Sequence, residues 1–416
     1  MSGRLLIFSC FFVSMSMAQS PVQHRFYAEN NGKSSVGFSS GINMTTADFS
    51  NKFIKNLLMD KELDRGVLSR EIDRLDESKN RIGIDYEIAL KGSWNIKSTA
   101  HNIIFSVSDG AHFHGSFPME AVDLMFSGNK KFAGDTVDVS GLNVTGIRFQ
   151  QMGAGWAYQP GLNTSIYGLV SIVNGEQLIQ ADVNRAKLYT STLGDTLHLN
   201  VVGGYKQSDT GNVGFARGNG LGLGLNFGLQ APFQAIGSTQ WMLSMDVFNL
   251  GFIQWNKKTI QFDIDTVVTW TGVEIPDLDH IDEQFADNQL ADSLLEGVNS
   301  AFKKTRLNQW LPGSAVFDIM QKKDHGFVLG LGTVVRWKAD FNPFGYVKAG
   351  YAFSEHIGLQ SQIGYGGYGH LQVGLDASLR WESMHFNIYL RNIEAMAVFG
   401  NYAGGSAGLT FKYLFQ

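Results

Sequence analysis

Along most of this chain, apolar residues fall at every second position. Leu371, Val373, Leu375, Ala377, Leu379 and Trp381 alternate with Gln372, Gly374, Asp376, Ser378, Arg380 and Glu382, and a period of two marks a strand with one apolar face. Phe327, Leu329, Leu331, Val335 and Trp337 stand likewise against Gly330, Gly332, Arg336 and Lys338. Ile260, Phe262, Ile264, Val268 and Trp270 stand against Gln261, Asp263, Asp265 and Thr269. A soluble sandwich or propeller also alternates, but its strands usually last about 5 or 6 residues, whereas about 9 to 11 are needed to cross a bilayer. The longer runs here, with aromatics near their ends, predict an all-β fold: an antiparallel transmembrane β-barrel of about 14 to 16 strands, apolar face to lipid.

The last strand carries the same pattern to the end of the sequence. Leu409, Phe411, Tyr413 and Phe415 share one face, with Lys412 between. Gly408, Phe411, Tyr413 and Phe415 resemble the C-terminal signal by which bacterial barrels are recognised for insertion, with Gln416 as an extra residue after the terminal aromatic. At the other end, Arg4, the apolar run Leu5–Val13 and the small residues of Ser16-Met17-Ala18 predict a signal peptide over 1–18. Cleavage there removes Cys10, the only cysteine, so the mature chain has no thiol chemistry. The expected location is the bacterial outer membrane.

Two helical stretches interrupt the strand pattern. Phe53, Ile54, Leu57, Leu58, Val67, Leu68, Ile72 and Leu75 recur at three- and four-residue spacing, so residues 19–80, including the extended stretch Ser34–Met44, are expected to form a hatch inside the lumen or a periplasmic cap. A second insertion over 116–141 holds a short helix at Met119–Phe126, and a third spans 273–311. The barrel proper is expected over 81–416. Short turns near Ser383, Ser354-Glu355 and Lys322–Asp324, and a tight hairpin at Asn174-Gly175, fall on the periplasmic side. Ala395–Gly404, Ala339–Pro343 and the third insertion fall outside.

Composition excludes several classes. The 48 glycines, 12% aromatic and 17% charged residues fit many short strands rather than a helical bundle, and the net charge of -5 comes without a basic patch for nucleic acid. Gly404-Gly405-Ser406-Ala407-Gly408 matches GxSxG, yet no helix and no histidine follow it. Gly364–Gly369 matches GxGxxG but opens no helix. His112 and His114 near Asp109 make an incomplete zinc set, more simply a polar loop. The acids Glu274, Asp277, Asp279, Asp282, Glu283, Asp287, Asp292 and Glu296 lack EF-hand spacing and read as a solvated loop rather than a calcium site. No catalytic residue, metal or cofactor is assigned. Charges on the polar strand faces are the better candidates: Asp85, Glu87, Lys91, Asp263, Asp265, Arg336, Lys338, Asp376, Arg380 and Glu382 are expected to face the lumen, lining a wet passage or a sealed, salt-bridged interior.

The signal peptide, Pro118–Asn129 followed by Phe132-Ala133-Gly134, the run Asp246–Trp255 and the C-terminal strand resemble a family of Bacteroidota outer-membrane barrels, the domain of unknown function 5723. The architecture is more distantly similar to long-chain fatty-acid transporter barrels, which carry an N-terminal hatch, and to the shuttle barrel of type IX secretion. The family resemblance supplies no activity; the expected function is a plugged barrel that passes a small or amphipathic solute, or alternatively a non-transporting barrel that scaffolds a surface or secretion complex. The expected partners are outer-membrane lipid, the barrel assembly machinery and a periplasmic or surface protein.

Overall fold

The computed structural model describes residues 25–28, 33–271 and 303–415, apart from 47, 59–64, 98, 162, 235–239, 322, 324 and 398–402. The signal peptide and the acidic stretch 274–296 lie outside the described residues. The strands are β1 (Ser34–Thr46), β2 (Asn80–Asn95), β3 (His101–Phe117), β4 (Thr136–Asp138), β5 (Leu142–Gly161), β6 (Thr164–Thr190), β7 (Thr196–Gln207), β8 (Gly220–Gln234) and β9 (Gln240–Thr271). They continue as β10 (Lys303–Trp310), β11 (Gly313–Gln321), β12 (Gly326–Trp337), β13 (Asn342–Ala352), β14 (Ile357–Gly367), β15 (Leu371–Arg380), β16 (Met384–Arg391) and β17 (Ala403–Phe415).

Pairing runs antiparallel from β1 through β2, β3, β5, β6, β8, β9 and β11 to β17, and β17 pairs back onto β1, which closes a 14-strand barrel. Closure satisfies every strand edge within the wall, as a lipid environment demands. Among the described residues no helix is long and apolar enough to cross a membrane; strands make the crossing. The rim that holds the C-terminus is called here the near rim. Its described turns are short, and the described helical insertions, between β1 and β2 and between β3 and β4, gather at the opposite, far rim.

Two expectations change. Ser34–Met44 is neither hatch nor cap: β1 is a wall strand, hydrogen-bonded to β17 on one side and β2 on the other. Its Ser35, Ser39 and Asn43 face inward while Val36 and Phe38 face out, a period of two that fits the wall and no other place. Nor is Asn174-Gly175 a hairpin. Both lie inside β6, a strand of 27 residues, where Glu176 is the extra residue of a bulge opposite Arg148 and Phe149. Read as a turn, that dipeptide adds a strand crossing that the ring does not contain.

The outer surface carries an apolar band. Leu90, Ile103, Phe105, Val107, Val170, Ile172, Leu329, Leu331, Val347 and Ile363 all point outward and are exposed. Aromatics edge it: Trp94 meets Phe415, Trp156 stacks on Tyr158 and Tyr351 packs on Phe353 by the near rim, while Phe252 meets Trp310 at the far side. Such girdles belong at the lipid–water boundary. Where the band stops, between β2, β3, β5 and β6, an outward network takes over. Tyr86 donates to Asp109 (3.0 Å), Gln150 donates to Asp109 (2.7 Å) and Glu176 (2.6 Å), and Arg148 pairs with Glu176 at 3.3 Å.

Beyond the far rim β6 and β9 do not stop. At 27 and 32 residues they extend about 90 and 105 Å along the strand. Their outer halves, with β4, β7 and β10, form a single-layer sheet above the barrel. The helices Asn51–Leu58, Arg65–Ile72 and Met119–Ser127 pack at the same rim around Phe49, Phe53, Ile54, Ile72, Leu75 and Val122. Ser50 caps the first of them, its Oγ accepting from the Phe53 amide (3.1 Å), and its amide and hydroxyl donate to Glu71 (2.8 and 2.7 Å). Asn51 donates to the Ala395 carbonyl (2.9 Å) and accepts from the Gly404 amide (2.9 Å), tying the cap to the β16–β17 connection. The helical insertions expected from sequence are therefore present, but they sit opposite the C-terminus.

Candidate functional site in the barrel lumen

The inward faces of the wall carry polar side chains beside apolar clusters such as Ile147, Phe149, Val173, Ile253 and Trp255, and they meet across the lumen in three tiers. Nearest the C-terminus, the one-turn helix Arg25–Ala28 lies inside the barrel. Phe26 and Tyr27 are buried. Lys412, inward on β17, donates to the Phe26 carbonyl at 2.7 Å with its ammonium 5.4 Å from the Phe26 ring. Tyr27 donates its hydroxyl to the Phe105 carbonyl (3.1 Å), packs against Tyr167 (ring centroids 5.2 Å apart) and accepts from the Gln159 amide through its own carbonyl. Gly37 makes the seat: a Cβ there would stand 2.5 Å from the Phe26 ring. Of the N-terminal stretch expected as hatch or cap, this short turn is what the described residues place inside the barrel.

The middle tier is a small cavity of about 40 Å3, room for a few water molecules. Glu87 and Lys91 of β2, Ser106 and Ser108 of β3, Gln151 of β5 and Asn249 of β9 line it, with Tyr27 as part of its wall towards the near rim. Gln151 donates to Asn249 at 2.8 Å, and beside the cavity Tyr167 donates to Asp246 at 2.6 Å. Hydroxyls, amides, one ammonium and one carboxylate dominate this lining, so water or a small polar group finds protein hydrogen bonds there.

At the far tier a side-chain pair crosses the lumen. Arg336 of β12 reaches Asp85 of β2 at 2.6 Å although those strands stand on opposite sides of the ring. The lumen is thus pinched at that level to the reach of two side chains. Asp85 also meets His112 Nδ1 at 2.8 Å and accepts from Asn43 at 3.4 Å. The Arg336 guanidinium lies 5.0 Å from the Phe341 ring and 5.9 Å from the Tyr368 ring. Tyr368, from the β14–β15 connection, lies flat against Gly83, where a Cβ would stand 2.0 Å from its ring. One step outward, Asp340 pairs with Lys79 at 2.9 Å and Arg81 at 3.6 Å. Burial would raise the Asp340 carboxyl, but Ser116, Lys79 and Arg81 outweigh it and hold the group below the usual carboxylate range.

Six of the charges expected inside do face the lumen: Asp85, Glu87, Lys91, Arg336, Asp376 and Arg380. Asp376 pairs with Arg391 at 2.7 Å, and Arg380 lines a vestibule open at the near rim. The other four do not. Asp263 and Asp265 stand on the part of β9 that has left the barrel, and Asp265 pairs with Arg185 at 3.6 Å. Lys338 is exposed at a left-handed turn (φ 57°) on the far rim, and Glu382 is exposed in the β15–β16 turn. Each follows the strand parity, but the barrel ends before the residue is reached. On β17, Gly408 faces inward while Phe411, Tyr413 and Phe415 face out.

His112 and His114 belong to wall strand β3, not to a loop, and face the lumen, whereas Asp109 points the other way into the outward network. Among the described residues no group of three or more His, Cys, Asp or Glu could hold a metal. Ser406 of the GxSxG match is an inward residue in mid-strand. Sequence reasoning missed Asp246, Asp318 and Lys348, the last two paired at 3.2 Å. Period two could have found them, since Asp318 sits between Phe317 and Ile319, and Lys348 between Val347 and Ala349. Nothing local marks Tyr368 or Asp340, which come from connections.

A family model matches residues 20–390, described as a family of unknown function, DUF5723. The chain belongs to that family. No curated protein matches it. Among solved structures, it is similar to the Pseudomonas putida toluene transporter TodX at 8% identity, covering 97% of this chain and 96% of that one with a TM-score of 0.45. A Pseudomonas aeruginosa FadL homologue matches at 9% identity, 97% and 99% coverage and a TM-score of 0.43. The translocator domain of autotransporter NalP from Neisseria meningitidis matches at 8%, 94% and 91%, with a TM-score of 0.33. Likenesses this remote say nothing of what this family member carries.

Proposed function

We propose that this DUF5723 protein is a gated channel of the bacterial outer membrane that admits a small polar solute, without catalysis. The observation that carries the reading is a polar cavity enclosed between two side-chain closures, Phe26–Tyr27 below and Arg336–Asp85 with Tyr368 above. The upper closure spans opposite sides of the ring, and the lower one rests against the wall formed by β17, β1, β3, β5 and β6. A structural interior would have no use for a cavity lined by hydroxyls and amides, which costs conformational entropy and desolvation without apolar burial. The lining favours a polar solute over an amphipathic one. The near rim, with its short turns, faces the periplasm, and the far rim faces out.

The test is single-channel conductance of the refolded mature chain beside Phe26→Ala/Tyr27→Ala. Truncation through residue 80 would remove wall strand β1 and cannot serve. The double variant is expected to open more often, and small polyols or amino acids are expected to block its current. A folded variant that adds Arg336→Ala to this pair, so that both closures are relieved, and is still as silent as the parent would refute the channel. The tall sheet of β6, β7, β9 and β10 favours a second reading, a platform for a surface or secretion partner, which predicts a stoichiometric protein on mild-detergent purification.

A further inference from the structure

We propose that the outer face of β9 and β10, just beyond the apolar band, binds the phosphates of an anionic outer-leaflet lipid. Strand β10 places Lys304, Arg306, Asn308 and Trp310 on one face, and all four are exposed. That face is the outer one, because Trp310 is the cross-strand partner of Phe252 and Asn308 of Gln254, and Phe252 belongs to the outward apolar band. The order along the strand is aromatic, amide, cation, cation, which follows a lipid from its acyl chains through the carbonyl region to the headgroup.

Strand β9 adds to the row. Its bulge between Trp255 and Thr259 brings in Lys258, two residues from Ile260, the cross-strand partner of Lys304. Lys258 is exposed and pairs with Asp209 at 3.0 Å, and Asp209 feels Lys258 and Lys304 together. Asp209 belongs to the connection between β7 and β8, whose Val213 and Phe215 are also exposed. Among the described residues, three cations against one carboxylate leave the strip positive on a chain whose net charge is -5, and the complement at that depth is a phosphate. The proposal rests on the far rim facing outward, as the channel reading places it.

The probe is bis-phosphorylated lipid A in phosphatidylcholine nanodiscs, with its dephosphorylated form as control, and retained lipid read by native mass spectrometry. The wild type is expected to retain the phosphorylated form preferentially. Lys258→Gln/Lys304→Gln/Arg306→Gln is expected to lose about fivefold in affinity per side chain, about a hundredfold in all. A charge-matched control, Lys187→Gln/Lys206→Gln/Lys323→Gln, is expected to bind as the parent does. If the triple variant does not fold, Arg306→Gln alone gives the fivefold reading. Equal retention of the two lipid forms, or equal loss in the control, would overturn the proposal. Binding that appears only when the acidic stretch 274–296 is removed would instead assign the strip to that segment. Failure here with the conductance result intact would refute the lipid site alone.

Discussion

Replacing Arg336 with alanine separates the two sides of the lumen at one point. Asp85 is 1% exposed and the Arg336 side chain 10%, so both charges are out of bulk water and their pairing is little screened. Removing one member of such a pair costs about 3–5 kcal/mol, because the other is left buried with its charge uncompensated. Asp85 keeps His112 at 2.8 Å and Asn43 at 3.4 Å, which places the expected loss at the lower end, about 3 kcal/mol. The loss is read from urea unfolding of the refolded barrel in lipid vesicles, followed by tryptophan fluorescence. A cycle with Asp85→Asn isolates the coupling, expected at about 2 kcal/mol. On the Phe26→Ala/Tyr27→Ala background the same substitution is expected to raise the open level further in single-channel recording, because the upper closure and the stability come from one contact. A loss below about 1 kcal/mol, the size of a solvent-screened surface pair, together with unchanged conductance, would refute the view that this pair closes the lumen.

Acid should loosen the far rim. Because the Asp340 carboxyl is held below its unfolded value, its pairing with Lys79 and Arg81 contributes fully above the unfolded carboxylate range, near pH 4, and is lost as pH falls through the lower folded value. Channel openings are therefore expected to rise in acid recordings of the parent, and Asp340→Asn is expected to show that open level already at neutral pH. At Gly83, alanine would force Tyr368 off the wall, with an expected cost of about 1–3 kcal/mol. Gly83→Ala/Tyr368→Ala should recover most of that loss in urea unfolding, and a double variant worse than the single would show that the tyrosine contact is not the cause.

How much of this could be read in advance depends on how local each feature is. Alternation at Leu371–Glu382 is a property of neighbours along one strand, so it announced a lipid-facing side and a lumen side before any partner strand was known. The outward aromatics of β17 and the inward Asp85, Arg336 and Asp376 follow from the same parity. Parity gives a direction but no height. It put Asp263 and Asp265 in the lumen because nothing in Ile260–Trp270 shows that β9 has already risen out of the ring. It also left Ser34–Met44 unplaced, since whether an alternating segment is the last stave or a loose extra strand depends on the edges that β17 and β2 present to it.

The sequence by itself determined a membrane barrel with polar contents, helices as insertions and apolar staves, because those follow from periods of two and of three to four. Tertiary structure alone decided that there are 14 staves, that Asn174-Gly175 runs straight through β6, and that the helical insertions cap the rim away from the C-terminus. It also decided the site. Arg336 meets Asp85 across 251 positions of sequence, and Tyr27 reaches a cavity wall built from strands far along the chain. Such meetings arise from ring closure and strand stagger, which set distances across a lumen and leave no mark on the neighbours of either residue.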